Sequence, residues 1–174
     1  MANICEKVVI PNLDFRQSDE ELFEDSPEEY IRRDIEGSDI DTRRRAACDL
    51  VKTLSQNFEA KIFGIFGQYL EILLTKYKEN PAVNWRAKDT AIYLVTSFAS
   101  RGGTQKHGIT QASELVPLPQ FCAQQIVPEL ERPNSKNFVL FILIPLFQYY
   151  IVLYLNPCLI AIYFVCFQLM NFLF

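Results

Sequence analysis

Apolar residues recur through the middle of the chain at intervals of three, four and seven, the pattern of helices with one buried face. The first stretch of this kind follows Asp41, and a second is closed by Asn80-Pro81. The apolar positions are Ala47, Leu50, Val51, Leu54 and Phe58 in the first stretch, and Ile62, Ile65, Phe66, Tyr69, Leu70, Leu73 and Tyr77 in the second. The spacing predicts two amphipathic helices that are joined by a short turn.

Three further stretches repeat the pattern less completely. A helix is predicted from about Trp85 to Arg101, and a weaker one from Leu118 to Leu130, whose end we expect Pro128 to break. Near the start of the chain, residues 3–10 have the pattern of a helix end that is stopped by Pro11. Strand patterns are nearly absent, so the sequence predicts an all-α chain.

A capped helix is predicted to begin at Ser26. This serine is a candidate N-cap, Pro27 fits the first helical position, and Glu29 completes a capping box. Gly37 is expected to end the helix, and either Ser38 or Asp41 to cap the next one. Pairs of opposite charge four residues apart, Glu28 with Arg32 and Glu29 with Arg33, support the helix between them.

The spacing of the expected helix caps suggests a repeat. Asp41 and Asn84 lie 43 residues apart, and two antiparallel helices fill the interval. HEAT and armadillo repeats have periods of about 40–47 residues. The predicted fold class is therefore an all-α fragment of a HEAT-repeat, or armadillo-type, superhelix built from antiparallel helix pairs.

Charge is segregated along the chain. The whole sequence has a net charge of −4, but residues 14–41 hold 12 acidic residues and only three arginines. We expect residues 11–26 of this acidic segment to form an exposed loop with at most one helical turn, around Glu20 to Phe23. The acidic balance argues against a protein that binds the phosphate backbone of nucleic acids.

Arg43, Arg44 and Arg45 occupy the predicted first turn of a helix, where the helix dipole disfavours cations. A negative group is therefore expected close to them. Local carboxylates can supply it, and the candidates are Glu36, Asp39, Asp41 and Asp49. Alternatively, the arginines alternate between these carboxylates and an acidic partner protein, although runs of surface charge are usually solvated.

Candidate catalytic chemistry is sparse. His107 is the one histidine, it lies between polar residues, and no nucleophile or metal-ligand spacing accompanies it. Five scattered cysteines form no Cys-x-x-Cys pair, so we expect no zinc site or disulfide framework. Gly64 and Gly67 lie within an apolar stripe and are expected to permit close helix packing. No cofactor, metal or enzymatic activity is predicted; a small hydrolase built on His107 is the alternative.

Three blocks of sequence resemble one known family. They read EEYIRRDIEGSDIDTRRRAACDLV, NPAVNWRAKDTAIYLVTSFAS and TQKHGITQASELV, and the resemblance extends over about residues 4–130. The family is that of the importin-α export receptors within the importin-β superfamily. The resemblance implies a HEAT-repeat superhelix that binds importin-α and the GTP-bound GTPase Ran, and that moves between nucleus and cytoplasm.

The same resemblance implies an organisation and a binding region. Residues 1–132 would be central repeats carrying an acidic insertion at about residues 12–37. The family associates this insertion with conformational switching and with part of its contacts to Ran and cargo. The candidate partner-binding residues are Arg32, Arg33, Asp39, Asp41, Arg43, Arg44 and Arg45.

Residues 133–174 depart from the family pattern. From Phe138 onward there are 37 residues without a charge, rich in Phe, Leu, Ile and Tyr. Asn156-Pro157 divides this tail into two parts, each near the lower length limit for crossing a membrane. Two interpretations remain open: a membrane hairpin, and translated non-coding sequence that follows a truncated or mis-spliced reading frame.

We expect a chain that ends at residue 134 to be much more soluble than the full chain. The reason is that the tail is uncharged, whereas the preceding helices are amphipathic. Cell fractionation followed by an alkaline wash checks this expectation. Recovery of the full chain as an integral membrane protein would instead support the membrane hairpin.

Overall fold

The computed structural model describes residues 2–34, 42–101, 111–112 and 115–130, and these residues are mainly helical. Helix α1 consists of an α-helical start (Ala2–Ile4), a π-helical stretch (Cys5–Val9) and an α-helical end (Ile10–Leu13). The acidic segment supplies α2 (Gln17–Asp25) and α3 (Pro27–Asp34). The long element α4 (Arg43–Glu79) and α5 (Trp85–Ala99) follow. The last helix, α6, again contains three stretches: Leu118–Phe121, the π-helical Cys122–Ile126, and Val127–Leu130.

Of the three prolines that were expected to end helices, Pro81 follows the end of α4, whereas Pro11 and Pro128 lie inside helices. The Ile10 amide donates to the Cys5 carbonyl and the Val127 amide to the Cys122 carbonyl, five residues back in each case, and Pro11 and Pro128 come next. Proline lacks an amide hydrogen and its ring normally collides with the preceding turn. A π-helical turn is wider, so it accommodates the ring. The expectation of a stop was wrong at both positions.

The expectation of an exposed loop at residues 11–26 was also wrong, because α2 covers nine of these residues. The Arg16 amide donates to Asp19 Oδ2 at 2.9 Å, which satisfies one of the free amides at the helix start. Leu22 and Phe23 are half-buried against a cluster that contains Phe15 and Tyr30. Two apolar residues on one face are sufficient here because the neighbouring aromatic rings complete the packing.

The helix starts in this region were predicted in part. Helix α3 begins at Pro27, and Arg33 lies 3.6 Å from Glu29 across one helical turn. Helix α4 begins after Thr42, whose Oγ1 accepts a hydrogen bond from the Arg45 amide at 3.2 Å. Threonine thus takes the capping role that was expected of Ser38 or Asp41. Those two residues, like Gly37, lie outside the described residues.

Element α4 reverses direction at Phe58, its one non-helical residue, with φ −140° and ψ 37°. Arg44 near its start pairs with Asp89 of α5, and the ring centre of Tyr77 near its end lies 4.4 Å from Nζ of Lys88, the residue before Asp89. A straight helix would separate Arg44 and Tyr77 by about 50 Å. Residues 43–57 (α4a) and 59–79 (α4b) therefore form the predicted antiparallel pair.

Helix α5 lies at the centre of the structure, with buried side chains around its whole circumference. Its inner residues join α1, α4a and α4b in the main hydrophobic core. The buried members of that core are Cys5, Val9, Leu13, Ala47, Val51, Ile62, Phe66, Tyr93, Leu94 and Phe98. Burial on all sides fits a middle layer in a stack of helices, since an outer layer would expose one face.

Beyond α5, Ser100–Arg101 and Gln111–Ala112 form a two-residue antiparallel ladder. The all-α class holds, with this short ladder as an addition. In the described part of the chain, no helix is both long and apolar enough to cross a membrane. Gly102-Gly103, His107 and the tail at 133–174 lie outside the described residues.

The glycines of α4b were expected to permit close packing, and this was wrong. A Cβ atom built on Gly64 or on Gly67 meets nothing within 4 Å among the described residues. Glycine within a helix costs about 0.5–1 kcal/mol relative to alanine. Both positions therefore carry a cost in helix stability that no contact within the described structure explains.

We expect Gly64→Ala and Gly67→Ala each to raise the free energy of unfolding by about 0.5–1 kcal/mol, because alanine restricts the unfolded chain without a clash. Urea denaturation followed by circular dichroism measures the change. Ala60→Gly, at an exposed position of the same helix, is the matched control and should lower stability by a similar amount. Destabilisation by either alanine would reveal a close contact at that glycine.

Candidate partner-binding site

Arg44 is buried, with 3% of its surface exposed. Its Nη2 pairs with the Asp89 carboxylate, its Nε donates to the Leu13 carbonyl at 3.0 Å, and its Nη1 donates to the Tyr30 hydroxyl at 3.2 Å. The guanidinium carbon also lies 3.6 Å from the centre of the Tyr93 ring. Arg44 thus connects α1, α3, α4 and α5, and the interpretation of all three arginines as solvated surface is wrong for this residue.

Arg43 lies over the C-terminal end of α1. Its guanidinium donates to the Asn12 carbonyl at 2.7 Å, to the Asp14 carbonyl at 2.9 Å and to Asp19 Oδ2 at 2.8 Å. A cation at a helix C-terminus donates hydrogen bonds to carbonyl groups that have no partner within the helix, and its charge interacts favourably with the helix dipole. Burial lowers the pKa of Arg43, and the negative charge of Asp19 opposes that shift.

Arg43 and Arg44 lie beside negative groups that were not expected, while Glu36, Asp39 and Asp41, three of the four expected carboxylates, lie outside the described residues. The unfavourable position at the start of α4 is compensated by the end of α1, by Asp19 and by Asp89. Asp49, one of the expected partners, lies 3.3 Å from Lys52. Every residue has a backbone carbonyl group, so the sequence alone cannot show which carbonyl groups lie beside an arginine.

The remaining predicted site residues are placed less completely. Arg45 is half-exposed on α4a, and Arg33 is half-exposed on α3. Arg32 lies on the same short helix, and nothing is described of its side chain. Asp39 and Asp41 fall outside the described residues. The structure therefore brings Arg33, Arg43 and Arg44 together and leaves the two aspartates unplaced.

A cavity of about 310 Å³ lies where these arginines meet the acidic helices. Leu22 and Tyr30 form its apolar part. Its polar lining consists of Ser18, Asp19, Arg33, Thr42, Arg43 and Arg44. Opposite charges thus line one small concave surface, which suits recognition of a polar protein side chain more than of an apolar ligand.

The acidic helices are held to the repeats by two different kinds of contact. Aromatic rings form the inner contact, with Phe15 5.1 Å from Trp85 and 6.2 Å from Tyr30. Ion pairs form the outer one: Arg86 lies 2.5 Å from Glu20, and both side chains are about 40% exposed. Exposed pairs of this kind each contribute about 0–1 kcal/mol and weaken with salt. The aromatic rings therefore supply most of the attachment.

Sequence reasoning missed the residues that complete the site, chiefly Asp89, Tyr30 and Arg86. One signal was present. Lys88 and Asp89 are adjacent charges within a helix whose other positions are largely apolar, and a charge inside a buried helix requires a partner. Arg44 is the only one of the three predicted arginines that is buried enough to provide that partner.

Two of the three described cysteines, Cys5 and Cys122, add no reactive thiol to this site. Burial raises the pKa of the Cys122 thiol to about 11, and it also raises the pKa of Cys5. Both thiols are therefore protonated and unreactive near neutral pH. Within the described ranges, no three residues among His, Cys, Asp and Glu are grouped so as to hold a metal ion.

Stacked antiparallel helix pairs with a fully buried middle layer define a class, the HEAT-repeat solenoids. Comparison with known families is more specific: the family model for Cse1 matches residues 1–152. The chain belongs to the Cse1 family.

Curated relatives and a solved structure agree with this assignment. Over 138 residues the chain is 87% identical to Exportin-2 of Drosophila melanogaster and 59% identical to Exportin-2 of Homo sapiens. Each alignment covers 79% of this chain and 14% of the relative. The structure of the exportin Cse1 in its cargo-free, cytoplasmic state matches with a TM-score of 0.75 and 37% identity, over 86% of this chain and 16% of that one. The chain therefore spans about a seventh of the length of these relatives.

We expect Arg44→Met to lower the free energy of unfolding by about 3–5 kcal/mol, because it removes the cation with which the buried Asp89 carboxylate pairs. Arg45→Met removes the same charge from a half-exposed position and should change stability by less than about 1 kcal/mol. Urea denaturation of the two variants provides the comparison. Adding Asp89→Leu to Arg44→Met should recover most of the loss, and equal effects of the two single variants would contradict the structural role of Arg44.

Proposed function

We propose that the chain supplies the central part of a nuclear export receptor that returns importin-α to the cytoplasm together with GTP-bound Ran. Membership of the Cse1 family is the observation that carries this proposal. The receptor acts as a binding scaffold without catalytic activity, and it works in both nucleus and cytoplasm. Because the chain matches 14% of the length of Exportin-2, it provides one portion of the surface that holds importin-α and Ran.

The proposed contact region combines the acidic helices α2 and α3 with the basic start of α4. Its members are the residues that the sequence suggested: Arg32, Arg33, Asp39, Asp41, Arg43, Arg44 and Arg45. Arg44 acts indirectly, since its buried side chain fixes the position of Tyr30 in α3. Arg33, Arg43 and Arg45 are the members whose side chains reach the surface in the described structure.

Arg43 is the residue best placed to exchange one partner for another. Its side chain is 23% exposed and that of Asp19 is 25% exposed, so solvent screens their ion pair. A carboxylate of a partner protein can replace Asp19 at a cost of about 1 kcal/mol, while the carbonyl groups at the end of α1 keep the guanidinium in position. Exchange at Arg43 would loosen the outer attachment of α2, and this couples partner binding to the position of the acidic helices.

The test uses a chimeric receptor in which residues 1–130 replace the matching segment of Drosophila Exportin-2. We expect Arg43→Glu combined with Arg45→Glu to reduce about tenfold the factor by which Ran-GTP strengthens importin-α binding. The reason is that the substitutions repel both Asp19 and an incoming carboxylate. Titration calorimetry with purified importin-α, in the presence and absence of Ran-GTP, measures this factor.

Lys61→Glu combined with Lys78→Glu is the matched control. It makes the same change in net charge at exposed positions of α4b, outside the basic start of α4. We expect this control to retain the full effect of Ran-GTP. If both double variants retain the full effect of Ran-GTP on importin-α binding, the basic start of α4 takes no part in coupling the two partners. If the unsubstituted chimera binds neither importin-α nor Ran-GTP, the proposed function itself fails.

A further inference from the structure

Three buried polar side chains join α6 to the layers beneath it. Glu129 Oε1 of α6 accepts a hydrogen bond from the Tyr77 hydroxyl of α4b and another from Lys88 Nζ of α5, each at 2.6 Å. Lys88 Nζ also lies 4.4 Å from the centre of the Tyr77 ring. Lys88 and Glu129 are each 2% exposed and Tyr77 is 5% exposed. One carboxylate oxygen is thus the meeting point of three helices.

The apolar face of α6 repeats itself every four residues. Leu118, Cys122 and Ile126 occupy this spacing, and all three are buried. If α6 slid along its axis by four residues, or about 6 Å, Leu118 would take the place of Cys122 and Cys122 that of Ile126. Burial of apolar surface depends little on direction, so it distinguishes poorly between the two positions. Glu129 breaks the repetition, because the slide would carry its carboxylate away from Lys88 and Tyr77.

Helix α6 has little internal regularity to resist such a slide. Its middle is π-helical, and it contains Pro119 and Pro128, neither of which donates a backbone hydrogen bond. Contacts with α4b and α5 must therefore define its position. Leu118 packs with Val95 and Ala99, which fixes the beginning of the helix less strictly than a hydrogen-bonded charge fixes its end.

We propose that Tyr77, Lys88 and Glu129 form a register pin, a buried polar contact that selects one axial position of α6 on the helices beneath it. A buried ion pair is often no more stabilising than apolar side chains of equal size, because removing two charges from water is costly. Its particular effect is on specificity, as for a single buried polar residue that sets the register of a coiled coil. The pin fixes how one helical layer follows the next, and in a solenoid this determines local curvature. The proposal is independent of any partner.

The test compares an apolar pin with the native one in the full 174-residue chain. Tyr77→Phe, Lys88→Met and Glu129→Leu together keep the approximate volume of the three side chains and remove their polar atoms. Methyl-labelled NMR spectra report the position of α6 through Ile126 and Leu118. We expect one set of methyl signals for each residue in the native chain and two or more sets in the triple variant, with helical circular dichroism retained.

Asp49→Leu combined with Lys52→Met is the matched control, since it removes an ion pair from the surface of α4a without touching α6. It should keep a single set of signals. Lys88→Met combined with Glu129→Gln is a second variant, in which Tyr77 can still donate to the side chain at position 129. It should also keep a single set, because a polar contact remains to define the register.

Two results would overturn the proposal. A triple variant with a single set of signals and the native Ile126 neighbours would mean that apolar packing alone selects the register. A triple variant that fails to fold would mean that the three polar groups supply stability and not specificity. Several sets of signals in the surface control would likewise remove the special role of the pin.

Discussion

The contact between Arg44 and Asp89 is the interaction on which the rest of the described structure depends. A buried guanidinium must satisfy its donors inside the protein, and here they are directed to α1, α3 and α5. This requirement fixes four helices relative to one another around a single side chain. The aromatic rings of Phe15 and Tyr93 lie against the same guanidinium and shield it from water.

Attachment of the acidic helices is correspondingly graded in strength. Close to Arg44 they are held by buried aromatic contacts, and farther out by ion pairs of Arg43 and Arg86 that water can reach. An attachment of this kind holds α3 more firmly than it holds the outer face of α2. Such a graded attachment opens at a smaller energetic cost than a uniformly buried interface would.

Much of the helical framework was predictable, and the failures have identifiable causes. The stripes from Ala47 to Tyr77 predicted the two arms of α4, because burial of one face imposes the helical period on the sequence. Pro11 and Pro128 misled the prediction because a π-helical turn, which no local pattern announces, accommodates proline. Helix α2 was missed because Leu22 and Phe23 are packed by aromatic rings that lie outside the helix, those of Phe15, Tyr30 and Trp85. Gly64 and Gly67 suggested close packing that the described structure does not contain.

The sequence by itself determined the helical class, the antiparallel pairing at residues 43–79, the family resemblance and the need for negative groups near the arginines at 43–45. These properties depend on local periodicity or on a direct match of residues, both of which a linear pattern contains. Only the tertiary structure decided that Arg44 is buried while Arg45 is half-exposed, and that Asp89 and the end of α1 supply the compensating negative groups. The physical reason is that a charge is neutralised by whatever lies near it in space. Asp89 lies 45 residues from Arg44 along the chain. Backbone carbonyl groups are common to all residues, so a sequence does not distinguish the ones that bind a cation.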